Sequence, residues 1–235
     1  MFMSVYLIPT VLHDDENALQ ALPSYLLPAI QQCEVFFVEN EKTARRFLKK
    51  LWKEMVIDNY QWFAIHKAED EVKANFIQQL KAGKTIGIIS EAGCPGVADP
   101  GQILVMAAQD LNATIHPLVG PSSILLALMA SGMNGQRFQF HGYLPIDSVA
   151  RKKAIRDLEA ESSKNNCTQI FIETPYRNNP LIKEIIQTCK PETRFCIAVD
   201  ITAPTESIQT KSIKKWKDLE VDIHKRPAIF LLLAV

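Results

Sequence analysis

The sequence predicts an α/β protein of two domains, with a mainly parallel sheet in the first and a mixed sheet in the second. Three observations carry this. Short apolar runs of strand length alternate with stretches of helix length through both halves. A turn-rich polar loop, residues 90–101 with the spelling SEAGCPGVADPG, joins the buried-strand pattern of 85–89 to the helical pattern of 102–108. In the second half some strands follow one another with little between them, which disfavours an all-parallel sheet. The boundary is expected near Val119 and Pro121, giving domains of 1–119 and 120–235.

The elements follow in order. Residues 4–8 read as a strand that Pro9 and Thr10 end, and 13–17 as a polar loop. Residues 18–32 can be helical, interrupted around Pro23 and Pro28. The continuous apolar run 35–38 reads as a strand buried on both faces. Residues 42–53 read as a two-faced helix: Ala44, Phe47, Leu48 and Leu51 lie on one side, and Lys42, Arg45, Arg46, Lys49, Lys50 and Lys53 on the other. No acidic residue interrupts that basic face. It is either an ordinary solvated face or a stripe that tracks phosphates. Residues 62–65 suggest a strand, and 69–82 a helix that Gly83 stops, with Val72, Phe76, Ile77 and Leu80 inward. Residues 114–119 form another strand pattern. Gly120, Pro121, Ser122 and Ser123 then open an apolar helix at 124–130. Serines there either cap the helix or hold an anionic ligand group on free backbone N–H groups.

In the second half, 138–143, 168–172, 194–199 and 228–235 have strand character. Helical patterns cover 151–161, 179–189 and 213–219, with Pro180 tolerated in a first turn.

Composition narrows the function. An apolar fraction of 47% is ample for packed cores, and 26 Lys plus Arg balance 26 Asp plus Glu. No global field draws this chain to nucleic acid or membrane, so any basic surface must be local. Cys33, Cys94, Cys167, Cys189 and Cys196 have no CxxC spacing, which favours reduced thiols in a cytoplasmic protein over a disulfide or zinc framework. The scattered histidines give no metal motif, so no metal is expected. No apolar run reaches the length of a membrane span, and the first residues lack a basic start and a cleavage site, so neither a membrane anchor nor a signal peptide is expected.

The 90–101 loop resembles the S-D-A-G-T-P-G-I-S-D-P-G motif of the bacterial 16S ribosomal RNA cytidine 2′-O-methyltransferases. These belong to the tetrapyrrole methylase superfamily, the class III S-adenosylmethionine methyltransferases. The resemblance continues in order. Gly120, Pro121, Ser122 and Ser123 resemble G-P-S-A, and residues 140–145, FHGYLP, resemble F-x-G-F-L-P. Residues 171–177, FIETPYR, resemble F-Y-E-S-P-H-R, and 39–46 loosely resemble E-D-T-R-x-T-R. The sequence departs from the family in the first loop, where P-T-P-I-G-N-L-x-D has become PTVLHDD. Glu91 and Cys94 replace Asp and Thr, and the extension that follows the family's second domain is not in this sequence.

The resemblance implies two α/β domains that meet at a cleft holding S-adenosyl-L-methionine, and a homodimer. The implied cofactor contacts are Thr10, Val11, Ser90, Glu91, Ala92, Gly93, Cys94, Pro95, Val97, Ser122 and Ser123. In the second domain they are Ile172, Glu173, Ile201, Thr202, Pro227 and Ala228.

Methyl transfer from a sulfonium is an in-line displacement, so much of the rate comes from placement. A ribose hydroxyl must still lose its proton, and Glu91, Asp99 and Glu173 are the candidate carboxylates, with Glu91 preferred. Asp99 can equally be a turn-stabilising residue before Pro100. Arg45, Arg46, Lys49 and Arg177 are the candidate substrate contacts; Arg45 and Arg177 can equally form structural ion pairs. Three functions stay open: ribosomal RNA or 30S-subunit methylation, methylation of a small molecule such as a tetrapyrrole, and a catalytically inactive cofactor-binding or interaction protein.

Overall fold

A computed structural model describes residues 3–65 and 69–234, the side chains of Glu69 and Asp70 excepted. The chain divides into two compact units, Met1–Ser122 and Ser123–Val235.

The first unit runs β1 (Ser4–Ile8), α1 (Leu26–Ile30), β2 (Val35–Val38), α2 (Glu41–Leu51), β3 (Gln61–Ala64), α3 (Glu69–Lys81), β4 (Ile86–Ile89), α4 (Gln102–Asp110) and β5 (Thr114–Pro117). Its five strands lie in the order β3-β2-β4-β1-β5, and every pairing is parallel. Parallel strands need crossovers, and helices then cover both faces. That is why β2, VFFV, and β4, IGII, are buried at every position. Alternate residues feed opposite layers. Phe36 and Val38 pack with Leu26, Ile30, Phe47 and Leu48 of α1 and α2. Val35 and Phe37 pack with Phe76 and Leu80 of α3 and Leu104 and Ala108 of α4.

The second unit runs α5 (Ser123–Ser131), β6 (Phe138–Tyr143), α6 (Ser148–Asn165), β7 (Thr168–Ile172), α7 (Asn178–Thr188), β8 (Arg194–Val199), β9 (Ser207–Ser212), α8 (Ile213–Trp216) and β10 (Ala228–Leu233). The strand order is β6-β7-β10-β8-β9. Only β6 and β7 pair in parallel; the other three pairings are antiparallel, so the sheet is mixed as the sequence suggested. Phe230 stacks with Phe171 at 5.9 Å and Phe195 at 6.0 Å. Ile155, Leu181, Ile185 and Trp216 pack into the same core.

Several elements differ from the sequence reading. The 18–32 stretch breaks at Pro23 as expected, into a 3-10 turn, Ala18–Ala21, and the five-residue α1, but it is not interrupted at Pro28. Pro23 separates the two pieces, and Pro28 is tolerated because it lies in the first turn of α1. Helix α6 starts earlier than expected because Asp147 caps it, accepting from Ala150 N at 2.8 Å. It ends later, at Asn166, which takes the left-handed conformation with φ 47°. Strand β9, SIQTKS, was not expected at all: it pairs only with β8, and its polar composition gives no apolar run to read. Val235, at the end of the expected last strand, lies outside the described residues.

Cys33, Cys167, Cys189 and Cys196 are buried and unbridged, while Cys94 is partly exposed. Burial pushes the Cys33 thiol up to about 12 and raises that of Cys189 as well.

Phe230 sits at the centre of the second core with no exposed surface. Phe230→Ala should cost about 3–5 kcal/mol and lower the melting temperature by roughly 10 °C. Thermal unfolding followed by circular dichroism reads this, with Phe230→Leu as the milder control.

Candidate functional site

Parallel register decides where the loops of the first unit go. Ile8 of β1 and Val38 of β2 both align with Ile89 of β4. Thr10, Glu39 and Ser90 therefore leave the sheet at the same edge, the carboxyl ends of the strands. The loops then lock together. Thr10 N donates to Gly93 O at 2.8 Å, and Glu39 N donates to Ile89 O at 3.0 Å. The Glu39 carboxylate accepts from Glu91 N at 2.9 Å, and the Thr43 hydroxyl on α2 donates to the Glu91 carboxylate. The Cys94 thiol contacts Gly120 O at 3.7 Å and Pro121 O at 3.6 Å.

Two glycines are required by this closeness. Gly93 has φ +74°, and a β-carbon there would stand 3.1 Å from Pro121 O. At Gly120 a β-carbon would fall 2.1 Å from Cβ of Pro9. Ala98 takes a left-handed φ of 63° without being glycine, a strained conformation within the 90–101 loop.

The loops and α2 enclose a recess of about 180 Å³ lined by Thr10, Val11, Leu12, Asp14, Thr43, Arg46, Phe47, Lys50, Ser90, Glu91 and Ala92, among others. The Thr10 hydroxyl is buried and has no hydrogen-bond partner among the described residues. A buried hydroxyl without a partner costs free energy unless a ligand or water meets it.

Carboxylates cluster on this loop. Burial, then the Glu39 carboxylate, raises Asp99 to about 6, and the Glu91 carboxylate adds a little to the rise. Asp99 is thus a carboxylate whose proton affinity approaches neutrality. Glu91, preferred from the sequence, already accepts the Thr43 hydroxyl.

The basic face of α2 needs correction. It is not free of acidic partners. Arg45 pairs with Glu41 at 2.8 Å and lies over the Trp62 ring, 5.0 Å from its centroid. Arg46 pairs with Asp14 at 3.5 Å, and Lys50 pairs with the same carboxylate. Lys49 donates to the carbonyls of Lys53 and Met55 just beyond the helix end. Among the described residues, Lys42 and Lys53 form no ion pair. Asp14 arrives from the first loop, which a reading of helical spacing alone does not see. Arg177 holds Glu173 through Nε at 3.0 Å and Nη2 at 2.6 Å, which places it in the structural ion pair.

In the second unit, antiparallel β10 lies between β7 and β8, so its first residues meet their last ones. Ile172 aligns with Ile229 and Val199 with Ala228, and Asp200 N donates to Pro227 O at 3.0 Å. Register thus gathers Ile172, Glu173, Ile201, Thr202, Pro227 and Ala228 at one edge of the sheet. Asp200 and Thr202 have φ of 49° and 73°. Positive φ is unusual for the β-branched Thr202. Arg226 Nε and the Thr205 hydroxyl both donate to Asp200 Oδ2 at 2.8 Å, and Thr202 N donates to Glu206 at 2.7 Å. The Glu173 side chain is buried; Oε1 accepts from Arg177 and from Thr174 N, while Oε2 has no partner among the described residues. Ser122 and Ser123 stand at the junction of the units, Ser123 being the first residue of α5.

Five parallel strands with ligand-type loops at their carboxyl edge, followed by a mixed five-stranded unit, define the class of tetrapyrrole methyltransferase folds. The methyltransferase CobJ has this fold, with a TM-score of 0.63 and 15% identity over 100% of this chain and 94% of its own. So does a uroporphyrin-III C-methyl transferase from Thermus thermophilus complexed with S-adenyl homocysteine, with a TM-score of 0.53 and 14% identity over 98% and 97% of the two chains. A profile of the Tetrapyrrole (Corrin/Porphyrin) Methylases matches residues 25–216, and the chain belongs to that family. Among curated proteins it is similar to the ribosomal RNA small subunit methyltransferase I of Buchnera aphidicola subsp. Schizaphis graminum, at 34% identity over 72% of this chain and 60% of that protein. The Vibrio cholerae protein of the same name is 34% identical over 63% of this chain and 50% of its own length. The chain thus spans half to three-fifths of the curated relatives it matches.

Gly93→Val should fold less stably by about 1–3 kcal/mol, because it forces a β-branched residue to positive φ beside Pro121 O; chemical denaturation measures it. A raised carboxylate pKa gives Asp99 a definite sign. The ionised form is disfavoured in the fold, so its cost is absent below the unfolded pKa of 3.8 and is complete above about 6. Asp99→Asn should therefore be more stable than the parent at pH 7.5, by about 1 kcal/mol after allowance for partial exposure. That gain should vanish toward pH 4 in a series of denaturation curves.

Proposed function

We propose that the chain is an S-adenosylmethionine-dependent methyltransferase acting on ribosomal RNA of the small subunit, at a 2′-hydroxyl of a 16S cytidine. The observation that carries the reading is the convergence of the first loop and the 90–101 loop on one recess, with the buried, unpartnered Thr10 hydroxyl in its wall. The RNA substrate is supported by the names of the curated relatives, and the 2′-hydroxyl by the spelling of the 90–101 motif.

The residues fit the cofactor. Thr10 and Val11, the loop residues Ser90 to Pro95 with Val97, and Ser122 and Ser123 supply hydroxyls and backbone groups, and Gly93 keeps the loop surface clear of a side chain. Ile172, Glu173, Ile201, Thr202, Pro227 and Ala228 complete the proposed set, with the unpartnered Glu173 Oε2 as an acceptor. When bound, the cofactor supplies a methyl group already activated by its sulfonium. The protein's work is then to hold the acceptor in line and to take the proton the ribose hydroxyl loses. Glu91, which lines the recess, is the proposed acceptor of that proton, with Asp99, whose proton affinity burial raises, as the second candidate.

A homodimer belongs to the same proposal. Tyr143, Ile146 and Val149 form an exposed apolar run at 60%, 72% and 79% exposure, which a second subunit would cover. A ribosomal substrate places the protein in the cytoplasm. A second reading, methylation of a tetrapyrrole, draws on the solved proteins that share the fold and on the balanced charge.

Labelled S-adenosylmethionine offered with 30S subunits or a tetrapyrrole panel separates the readings. Label in 16S RNA is expected. Label in a tetrapyrrole selects the second reading, and no label in either, with no heat from millimolar S-adenosylhomocysteine in calorimetry, overturns both.

A further inference from the structure

The recess that carries the proposed chemistry also holds two cations that share one of its two carboxylates. Arg46 and Lys50 are one turn apart on α2, and both lie on the carboxylate of Asp14. Within this cluster of three, one negative charge faces two positive ones, while the other carboxylate of the recess, Glu91, is engaged by the Thr43 hydroxyl. Arg46 reaches Asp14 with a single nitrogen at 3.5 Å rather than as a fork, and among the described residues it has no other hydrogen-bond or ion-pair partner. Its remaining donors stay available to an oxyanion. The three side chains are 60%, 43% and 54% exposed in the order Arg46, Lys50, Asp14, so the pairing is weak and easily exchanged. The same recess is walled by Glu91 and by the unpartnered Thr10 hydroxyl.

We propose that Arg46 and Lys50 form a phosphate seat beside the proposed methyl-transfer loop, and that Asp14 occupies this seat until a backbone phosphate of the RNA substrate displaces it. The inference rests on the RNA reading above and names the residues through which a chain without net charge takes hold of a polyanion. Asp14 serves as a resident surrogate. It cancels half of the charge of the pair when no substrate is present, which weakens capture of stray anions. It leaves one net positive charge to start the exchange. A phosphodiester then brings one charge of its own and several acceptor oxygens, enough for the Arg46 fork and the Lys50 ammonium together. Arg45 and Lys49, by contrast, are tied to Glu41 with Trp62 and to backbone carbonyls, and play no part in the seat.

The test has two arms and two variants. Asp14→Asn removes the surrogate, and Arg46→Gln with Lys50→Gln in that background removes the seat; all three positions are surface-exposed, so each variant keeps the fold. In the first arm, inorganic phosphate is titrated and followed by chemical shifts of α2. In the second, a labelled hairpin from the 16S RNA is titrated at several salt concentrations. Asp14→Asn should bind phosphate and RNA roughly threefold to fivefold more tightly at low salt. The salt slope of RNA binding should steepen by roughly 0.7–0.9. The triple variant should lose both gains. Tighter phosphate binding without RNA binding by any variant upholds the seat and overturns the RNA reading. RNA binding that is the same in parent and Asp14→Asn, with no change toward phosphate, overturns the seat and leaves the RNA reading standing.

Discussion

The parallel pairing of β1 with β4 is the constraint on which the candidate site depends. The register from Val5↔Ile86 to Ile8↔Ile89 makes two strands far apart in sequence end level with each other. Two loops that begin level, one at Pro9 and one at Ser90, can then share hydrogen bonds such as that from Thr10 N to Gly93 O. A slip of one residue would turn Ile88 and Ile89 to the wrong layers and separate the loops at the same time. Packing and site geometry are thus fixed by one set of backbone bonds. Those bonds hold because helices cover both faces of the sheet and leave β4 no exposed residue.

The second unit reaches a comparable result by the opposite means. Its β10 runs antiparallel between β7 and β8, so a strand start lies between two strand ends. Six chosen positions are gathered by three separate segments of chain. Backbone strain concentrates there too, at Asp200 and Thr202, and the network of Arg226, Thr205 and Glu206 holds the turn in place. Strain that is so thoroughly held belongs to a place where the position of the backbone matters.

What the sequence made legible, and what it hid, follow from distance along the chain. Val35–Val38 and Ile86–Ile89 were readable because burial on both faces leaves an unbroken apolar run. The 90–101 loop was readable because its glycines and prolines are spelled consecutively. Strand β9 was not, since an edge strand needs no apolar period. Nor was the partner of Arg46 and Lys50: Asp14 lies 36 residues from Lys50, and no helical spacing connects them. Arg45 looked like its neighbours on the helix face, yet Trp62 on β3 takes its guanidinium out of the solvent stripe. The raised proton affinity of Asp99 was also hidden, because it comes from burial and from Glu39, which is distant in sequence.

The buried thiols have a consequence of another kind. Cys33 lies in the core of the first unit; Cys167, Cys189 and Cys196 lie in the second, and none is bridged. A thiol so enclosed is out of reach of alkylating reagents while the fold is closed. Each becomes reactive only when its surroundings open. Nature has therefore placed a chemical clock in each half of the chain, and the order in which the cysteines take up label records which half loosens first.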